Sequence, residues 1–73
     1  MKVVEIFKTN VQNDIEADKL VNFLLELNPV YKINFDLEDE DKILRVEVNH
    51  LTIDTDKIIK KMIEGGYNCE KIE

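Results

Sequence analysis

The sequence contains few of the residues that crosslink a chain or break its regular structure. Its 73 residues include one cysteine, one proline, two glycines and no tryptophan. Because Cys69 is the single thiol, no disulfide can form within the chain, and a lone thiol fits the reducing cytoplasm. We therefore expect a cytoplasmic protein.

Long apolar runs and excess positive charge are also missing. The longest unbroken apolar stretch is three residues, at positions 23–25, far short of the roughly 20 that a spanning helix needs. The formal net charge is −6. Nucleic acids and anionic membranes both attract basic surfaces, so we expect neither nucleic-acid binding nor membrane insertion.

What is present is typical of a small globular domain. Hydrophobic residues make up 44% of the chain and charged residues 36%, which excludes a disordered composition. No linker, repeat or low-complexity tract interrupts the chain. We expect residues 1–73 to form a single domain with one modest core.

Four segments have the pattern of β-strands. Residues 2–10 are rich in β-branched and aromatic side chains. Residues 30–37 and 42–49 each alternate apolar and polar positions, and the acidic turn at 38–41 joins them as a hairpin. Residues 67–72 predict a short last strand.

Two amphipathic helices are predicted between these strands. The first has an apolar stripe and ends before Pro29, which disfavours helical backbone at Asn28. The second begins at a cap, Asp54 or Thr55, and ends at a glycine pair. The apolar positions of the first helix are Ala17, Leu20, Val21, Leu24 and Leu27, and those of the second are Ile58, Ile59, Met62 and Ile63.

The element order predicts an α+β, ferredoxin-like βαββαβ sandwich with a four-stranded antiparallel sheet and two helices on one face. Right-handed crossovers place strands 1 and 3 in the centre. The side chains expected to face the helices include Tyr31, Ile33, Phe35 and Leu37. Those expected on the open face are Lys32, Asn34, Asp36, Ile43, Arg45 and Glu47, which offer no aromatic platform for stacking RNA bases.

Three segments give the chain a resemblance to a known family. They are EIFKTNV with the helix directly after it, the hairpin NFDLEDEDKILRV, and the ending IIKKMIEGGYNCEKI. Together they resemble the heavy-metal-associated domains of copper chaperones and metal-transporting ATPases, over nearly the whole chain. In that family a Met-x-Cys-x-x-Cys loop between strand 1 and helix 1 binds Cu(I) through two thiolates.

This sequence departs from the family at the metal loop itself. The resemblance places Val11 at the methionine position, Asn13 at the first cysteine and Glu16 at the second, so both thiols are missing. We therefore expect no metal ligands at Asn13 and Glu16 and no copper transfer by the family mechanism. The same spacing predicts a capping box, in which Asn13 caps the helix and Glu16 completes the cap.

Other candidate ligands are isolated. Cys69 is interpreted as a small core residue, with a soft-metal ligand shared across a dimer as the alternative. Asp14 and Glu16 are too few ligands for a hard cation, and they lie at the positive end of a helix. His50 is expected in a surface loop at the opposite end from Asn13. No catalytic constellation is visible, so we expect no enzyme.

Two hypotheses for the function follow. The first is a non-enzymatic domain that has lost its metal-binding cysteines and binds another protein, with Lys57, Lys60 and Lys61 as the partner-binding cluster and no cofactor. The alternative is a copper- or zinc-handling protein that uses Cys69, acidic residues or a partner's ligands. Lys32 and Lys71 are expected to discourage pairing through the edge strands.

Overall fold

Strands and helices follow one another in the predicted order. The computed structural model describes residues 1–49 and 52–72, so the expectation for His50 lies outside the described residues. The elements are β1 (Lys2–Thr9), α1 (Asp14–Leu25), β2 (Lys32–Asp36), β3 (Ile43–Asn49), α2 (Thr55–Glu64) and β4 (Cys69–Lys71). Within these ranges no helix has both the length and the apolar character required to cross a bilayer.

The four strands form one sheet in the order β2-β3-β1-β4. Each pair of neighbours is antiparallel, and β1 pairs with β3 from Lys2 opposite Asn49 to Phe7 opposite Leu44. Strands β1 and β3 are therefore central, as right-handed crossovers require. The predicted ferredoxin-like fold is confirmed.

The core lies between one face of the sheet and the two helices. Its largest fully buried side chains come from both layers, since Phe7 and Leu44 belong to strands while Leu24, Ile58 and Met62 belong to helices. Tyr31 is 8% exposed. The other side chains predicted to share its face, Ile33, Phe35 and Leu37, are partly buried against the same core.

Local hydrogen bonds define the ends of α2. Asp54 is the N-cap, and its Oδ1 accepts from the Lys57 N–H at 3.1 Å, which decides between the two predicted caps. At the other end Gly66 adopts φ +94°, a left-handed conformation that suits glycine. The Tyr67 N–H then donates to the Met62 carbonyl at 3.0 Å, the bond of a Schellman motif.

The outer strands are shorter than the alternation predicted, because side chains and turns take the backbone groups at their ends. Strand β4 begins at Cys69 because the Asn68 N–H donates instead to Oδ1 of Asn10, at 2.8 Å. Strand β2 begins at Lys32 because the Tyr31 N–H donates to the Asn28 carbonyl, at 3.1 Å, in a turn.

One position departs from its predicted face, and another carries a charge on the face that the helices cover. Ile63, expected in the apolar stripe of α2, is 59% exposed, so that stripe consists of Ile58 and Met62 with Ile59 partly buried. Glu5 lies opposite Val46 and therefore on the helix-covered face of β1. The ammonium of Lys71 lies 3.5 Å from Oε1 of Glu5, so this carboxylate has an ion partner at the edge of the covered face.

Candidate functional site

The loop at positions 10–13 between β1 and α1 is the region where the resembling family binds metal. Thr9, which precedes it, is 8% exposed. The Thr9 N–H donates to the Asp41 carbonyl at 3.0 Å, and its hydroxyl donates to the Lys42 carbonyl. The same hydroxyl oxygen accepts from the Val11 N–H at 3.2 Å. The acidic hairpin turn therefore fixes where the loop begins.

Val11, which the resemblance aligns with the family's methionine, is part of the core. Its side chain is fully buried. An apolar side chain at this position anchors the loop by its own burial, which is worth roughly 1.5 to 3 kcal/mol for a residue of this size. The loop is consequently held at both ends before the helix begins.

Asn13 is the N-cap of α1, as predicted. Its backbone is extended, with φ −150° and ψ 168°, and its Oδ1 accepts from the Glu16 N–H at 2.9 Å. The Asn13 carbonyl also accepts the first helical hydrogen bond, from the Ala17 N–H at 3.0 Å. The Asn13 side chain, which the resemblance aligns with the family's first thiol, thus satisfies a helix amide that would otherwise lack a partner.

Glu16 binds one residue further back than the capping-box prediction placed it. Its Oε1 accepts from the N–H of Gln12 at 3.1 Å rather than from that of Asn13. The carboxylate still satisfies a backbone donor next to the positive end of the helix dipole. Both positions that would carry thiols are therefore engaged with backbone amides.

Glu16 also reaches Tyr67, which follows the glycine pair. The pKa of Tyr67 is raised above its usual value of 10. The largest cause is desolvation, followed by the charge and the hydrogen bond of the Glu16 carboxylate. Both side chains line a groove between the start of α1 and the end of α2. The structure thus brings the turn after α2 beside the start of α1.

Cys69 occupies a different part of the same end of the molecule. It pairs with Thr9 across the β1–β4 ladder and is partly buried against the core. Burial raises the pKa of its thiol from about 9 to about 12. Soft metals bind the thiolate, and burial disfavours that form here. Beside it lies a shallow groove, which is lined by Lys8, Thr9, Asn10, Ile63, Asn68, Cys69 and Glu70 but not by Asn13 or Glu16.

The structure brings Asn13 and Glu16 together but does not build a ligand cluster around them. Among residues 1–49 and 52–72, no group of three or more histidine, cysteine, aspartate or glutamate side chains is arranged to hold a metal ion. The two positions share a cap, while Cys69 belongs to the edge strand. Their chemistry is that of hydrogen-bond acceptors at a helix start.

The three lysines predicted to bind a partner divide into two kinds. Lys57 and Lys60 are exposed on α2. Lys61 is different, because its side chain is 17% exposed and its Nζ lies 3.3 Å from Oε1 of Glu26. Its ammonium also lies 4.0 Å from the centroid of the Phe23 ring. Lys61 therefore links α2 to α1, and only the other two present their charge to solvent.

The open face of the sheet has the predicted polar character. Lys2 and Arg45 both lie near Oε1 of Glu47, at 3.3 and 3.5 Å. In the part of the chain that the structure describes, the residues of this face include no aromatic side chain. Ion pairs and aliphatic side chains thus occupy the positions where bases would stack.

Sequence reasoning missed the two residues that anchor the loop, Thr9 and Asn10. Short polar side chains that follow a strand commonly bind nearby backbone groups, and that was the available signal. Their partners, Lys42 and Asn68, are 33 and 58 residues away in the chain. No local pattern specifies contacts of that range.

Comparison with known proteins adds no relative to this description. No protein-family model matches the chain, and neither does any curated protein or solved structure. The likeness to heavy-metal-associated domains therefore rests on the sequence pattern and on a fold that many unrelated functions share.

Proposed function

We propose that this protein is a non-enzymatic, cytoplasmic interaction domain of the heavy-metal-associated type, in which a helix cap has replaced the metal loop. The observation that supports the proposal most directly is the pair of bonds at the start of α1. Oδ1 of Asn13 accepts from the Glu16 N–H, and Oε1 of Glu16 accepts from the Gln12 N–H. Both positions of the family's thiols are engaged in holding the helix start.

The donor chemistry of the loop supports the same reading. An amide oxygen and a carboxylate are hard donors, whereas Cu(I) prefers sulfur. The amide end of α1 also carries partial positive charge, which disfavours a cation. Cys69 offers one thiol whose pKa is raised to about 12 by burial, so little thiolate is present near neutral pH.

The proposed partner is a protein with an acidic surface. Lys57 and Lys60 extend from α2 into solvent, on a chain whose net charge is −6. Lys61 contributes indirectly, because its ion pair with Glu26 fixes α2 against α1. A basic patch on an otherwise acidic protein would steer one orientation of approach.

Competition against a chromogenic Cu(I) chelator tests the proposal. The samples are the wild type, Cys69→Ser, and a double variant, Asn13→Cys with Glu16→Cys. We expect the wild type and Cys69→Ser to leave the chelator loaded. The double variant is expected to remove Cu(I) with submicromolar affinity, because it restores two thiols at a helix start of the family's geometry. Circular dichroism spectra before titration verify that all three are folded.

Each outcome has a separate meaning. Submicromolar Cu(I) binding by the wild type that Cys69→Ser abolishes would establish the metal-handling alternative and overturn the proposal. A folded double variant that fails to bind Cu(I) would show that Asn13 and Glu16 do not correspond to the family's cysteines. In that case the resemblance itself would be wrong.

A further inference from the structure

Among the described residues, no strand pairs with the outer edge of β2. Strand β2 pairs with β3 on one side and is the last strand of the sheet on the other. In an antiparallel ladder, alternate residues direct their N–H and C=O groups away from the paired strand. Beside this edge runs an open groove with apolar side chains from both α1 and β2. Its lining is apolar at Ala17, Val21, Ile33 and Phe35 and polar at Asp14, Asp18, Asn22 and Asn34.

The sequence of β2, KINFD, can pair favourably with a second copy of itself that runs antiparallel and is centred on Asn34. In an antiparallel pair of two copies centred on that residue, Lys32 of each copy lies opposite Asp36 of the other. Ile33 then lies opposite Phe35 on the groove side, and Asn34 lies opposite itself. Opposite charges and apolar pairs at directly facing positions both stabilise antiparallel strands.

Two neighbouring registers also keep the grooves of both copies on the same side of the sheet, but they form fewer favourable pairs. Moving the centre to Ile33 places Lys32 opposite Asn34 and removes both ion pairs. Moving the centre to Phe35 places Lys32 opposite Glu38, which lies beyond the strand in the turn. There the Glu38 N–H donates to Oδ1 of Asp36 at 3.2 Å, so the backbone has left the ladder.

The charge around the groove favours the same register. A second groove at the carboxyl end of β2 is lined by Gln12, Asn13, Asp14, Phe35, Asp36, Leu37 and Glu38. The first turn of α1 therefore adds Asp14 to the acidic group at that end. Lys32, at the opposite end of β2, has no ion pair with a described residue. A second copy entering antiparallel would bring its Lys32 to this acidic end.

We propose that the chain forms a twofold-symmetric dimer through the β2 edge, with Asn34 on the symmetry axis. The two four-stranded sheets join into one sheet of eight strands with all helices on one side. Such an interface is isologous, since the same patch serves both copies. Lys32, expected from sequence to discourage edge pairing, becomes the residue that selects the partner. This dimer does not depend on the proposed loss of metal transfer.

Sedimentation velocity of the full chain from micromolar to millimolar concentration tests the dimer. The wild type is expected to self-associate reversibly. Lys32→Asp and Asp36→Lys should each weaken the dimer about tenfold or more, because each replaces two attractive pairs by two repulsive ones. Lys19→Asp makes the same charge change at an exposed position on α1 that does not line the groove, and it should leave the dimer unchanged. The substituted side chains are exposed, and circular dichroism verifies that each variant is folded.

The decisive sample is an equimolar mixture of the Lys32→Asp and Asp36→Lys variants. One variant carries two carboxylates on its edge and the other carries two ammonium groups, so a heterodimer should form where neither variant forms a homodimer. A single chain with both substitutions should dimerise as the wild type does, because each ion pair is then reversed.

Four results would overturn the proposal. They are a wild type that stays monomeric at millimolar concentration, a dimer that survives Lys32→Asp, a mixture that stays monomeric, and a dimer that a metal chelator or Cys69→Ser dissociates. The last result would point to the metal-handling alternative. Self-association with none of these results would establish the β2 edge as the dimer interface. This conclusion would hold whatever the outcome of the Cu(I) competition.

Discussion

The ammonium of Lys61 lies 4.0 Å from the centre of the Phe23 ring. It also lies 3.3 Å from Oε1 of Glu26, so one side chain of α2 contacts two of the residues at the end of α1. Replacing it by methionine keeps the apolar stem and removes the charge. We expect Lys61→Met to lower the free energy of unfolding by about 1 kcal/mol, the usual size of a partly exposed cation–π contact with an ion pair.

Urea denaturation measures this loss. Lys60→Met, at an exposed position on the same helix, should stay within about 0.5 kcal/mol of the wild type. Equal effects of the two substitutions would show that the Lys61 contacts do not stabilise the helix pair, and would return Lys61 to the set of lysines available to a partner.

Asn13→Ala should destabilise the protein by about 1 kcal/mol, because the Glu16 N–H loses its acceptor. Asn13→Asp retains an acceptor at the same position and should retain most of the stability. Asn22→Ala, an exposed change inside the same helix, is expected to have the opposite sign, since alanine is the better helix former. These changes are measured by chemical denaturation, and a neutral Asn13→Ala would show that the cap contributes nothing.

Gly66→Ala is expected to cost about 1 to 2 kcal/mol. Apart from its chain neighbours, no described residue would have an atom within 4 Å of a Cβ at this position, so the cost comes from the backbone angle of +94°. Gly66→Asn should cost less, because asparagine tolerates the left-handed region better. Thermal denaturation compares the two variants, and equal losses would contradict a cost that arises from the backbone conformation.

The thiol of Cys69 should make stability fall at high pH. Its pKa is raised from about 9 to about 12 by burial, so the unfolded chain loses the proton first. The contribution is therefore fully present below pH 9 and is lost as the pH rises from about 9 to about 12. Unfolding free energies of the wild type and Cys69→Ser are measured across this range. As the pH rises, the free energy of unfolding of the wild type should fall relative to that of Cys69→Ser. Tyr67 titrates in both proteins and cancels in the difference.

Alkylation gives an independent measure of the same thiol. Iodoacetamide should modify Cys69 far more slowly in the folded protein than in urea at the same pH, because the thiolate is the nucleophile. Equal rates would show that burial does not raise the pKa of the Cys69 thiol. They would also support Cys69 as a candidate soft-metal ligand.

The fold was predictable because its main signals are periodic. Positions 44, 46 and 48 alternate with polar residues, and buried Leu20 and Leu24 repeat at helical spacing, so each element declares its own apolar face. Glu5 shows where this fails. Its position opposite Val46 puts its side chain on the covered face, where a lysine from β4 pairs with it, and a charge neutralised by a distant residue has no local signature.

In the candidate site, only the contacts between residues close in the sequence were predictable. Asn13 and Glu16 are three residues apart, so their cap can be read from the sequence. The choice of Gln12 as the donor to Glu16 depends on the path of the loop, which Thr9 fixes through the carbonyl of Lys42. That bond exists only once the hairpin has folded against β1.

The hydrogen bond from the Asn68 N–H to Oδ1 of Asn10 also bears on the order in which the protein folds. The cap of α1 closes a short stretch of chain, whereas this bond closes a loop of 58 residues and carries a much larger entropic cost. We expect the start of α1 to be present early in folding and the β1–β4 edge to close late. In native-state hydrogen exchange, the backbone amides of β4 should accordingly exchange faster than those of β1 and β3.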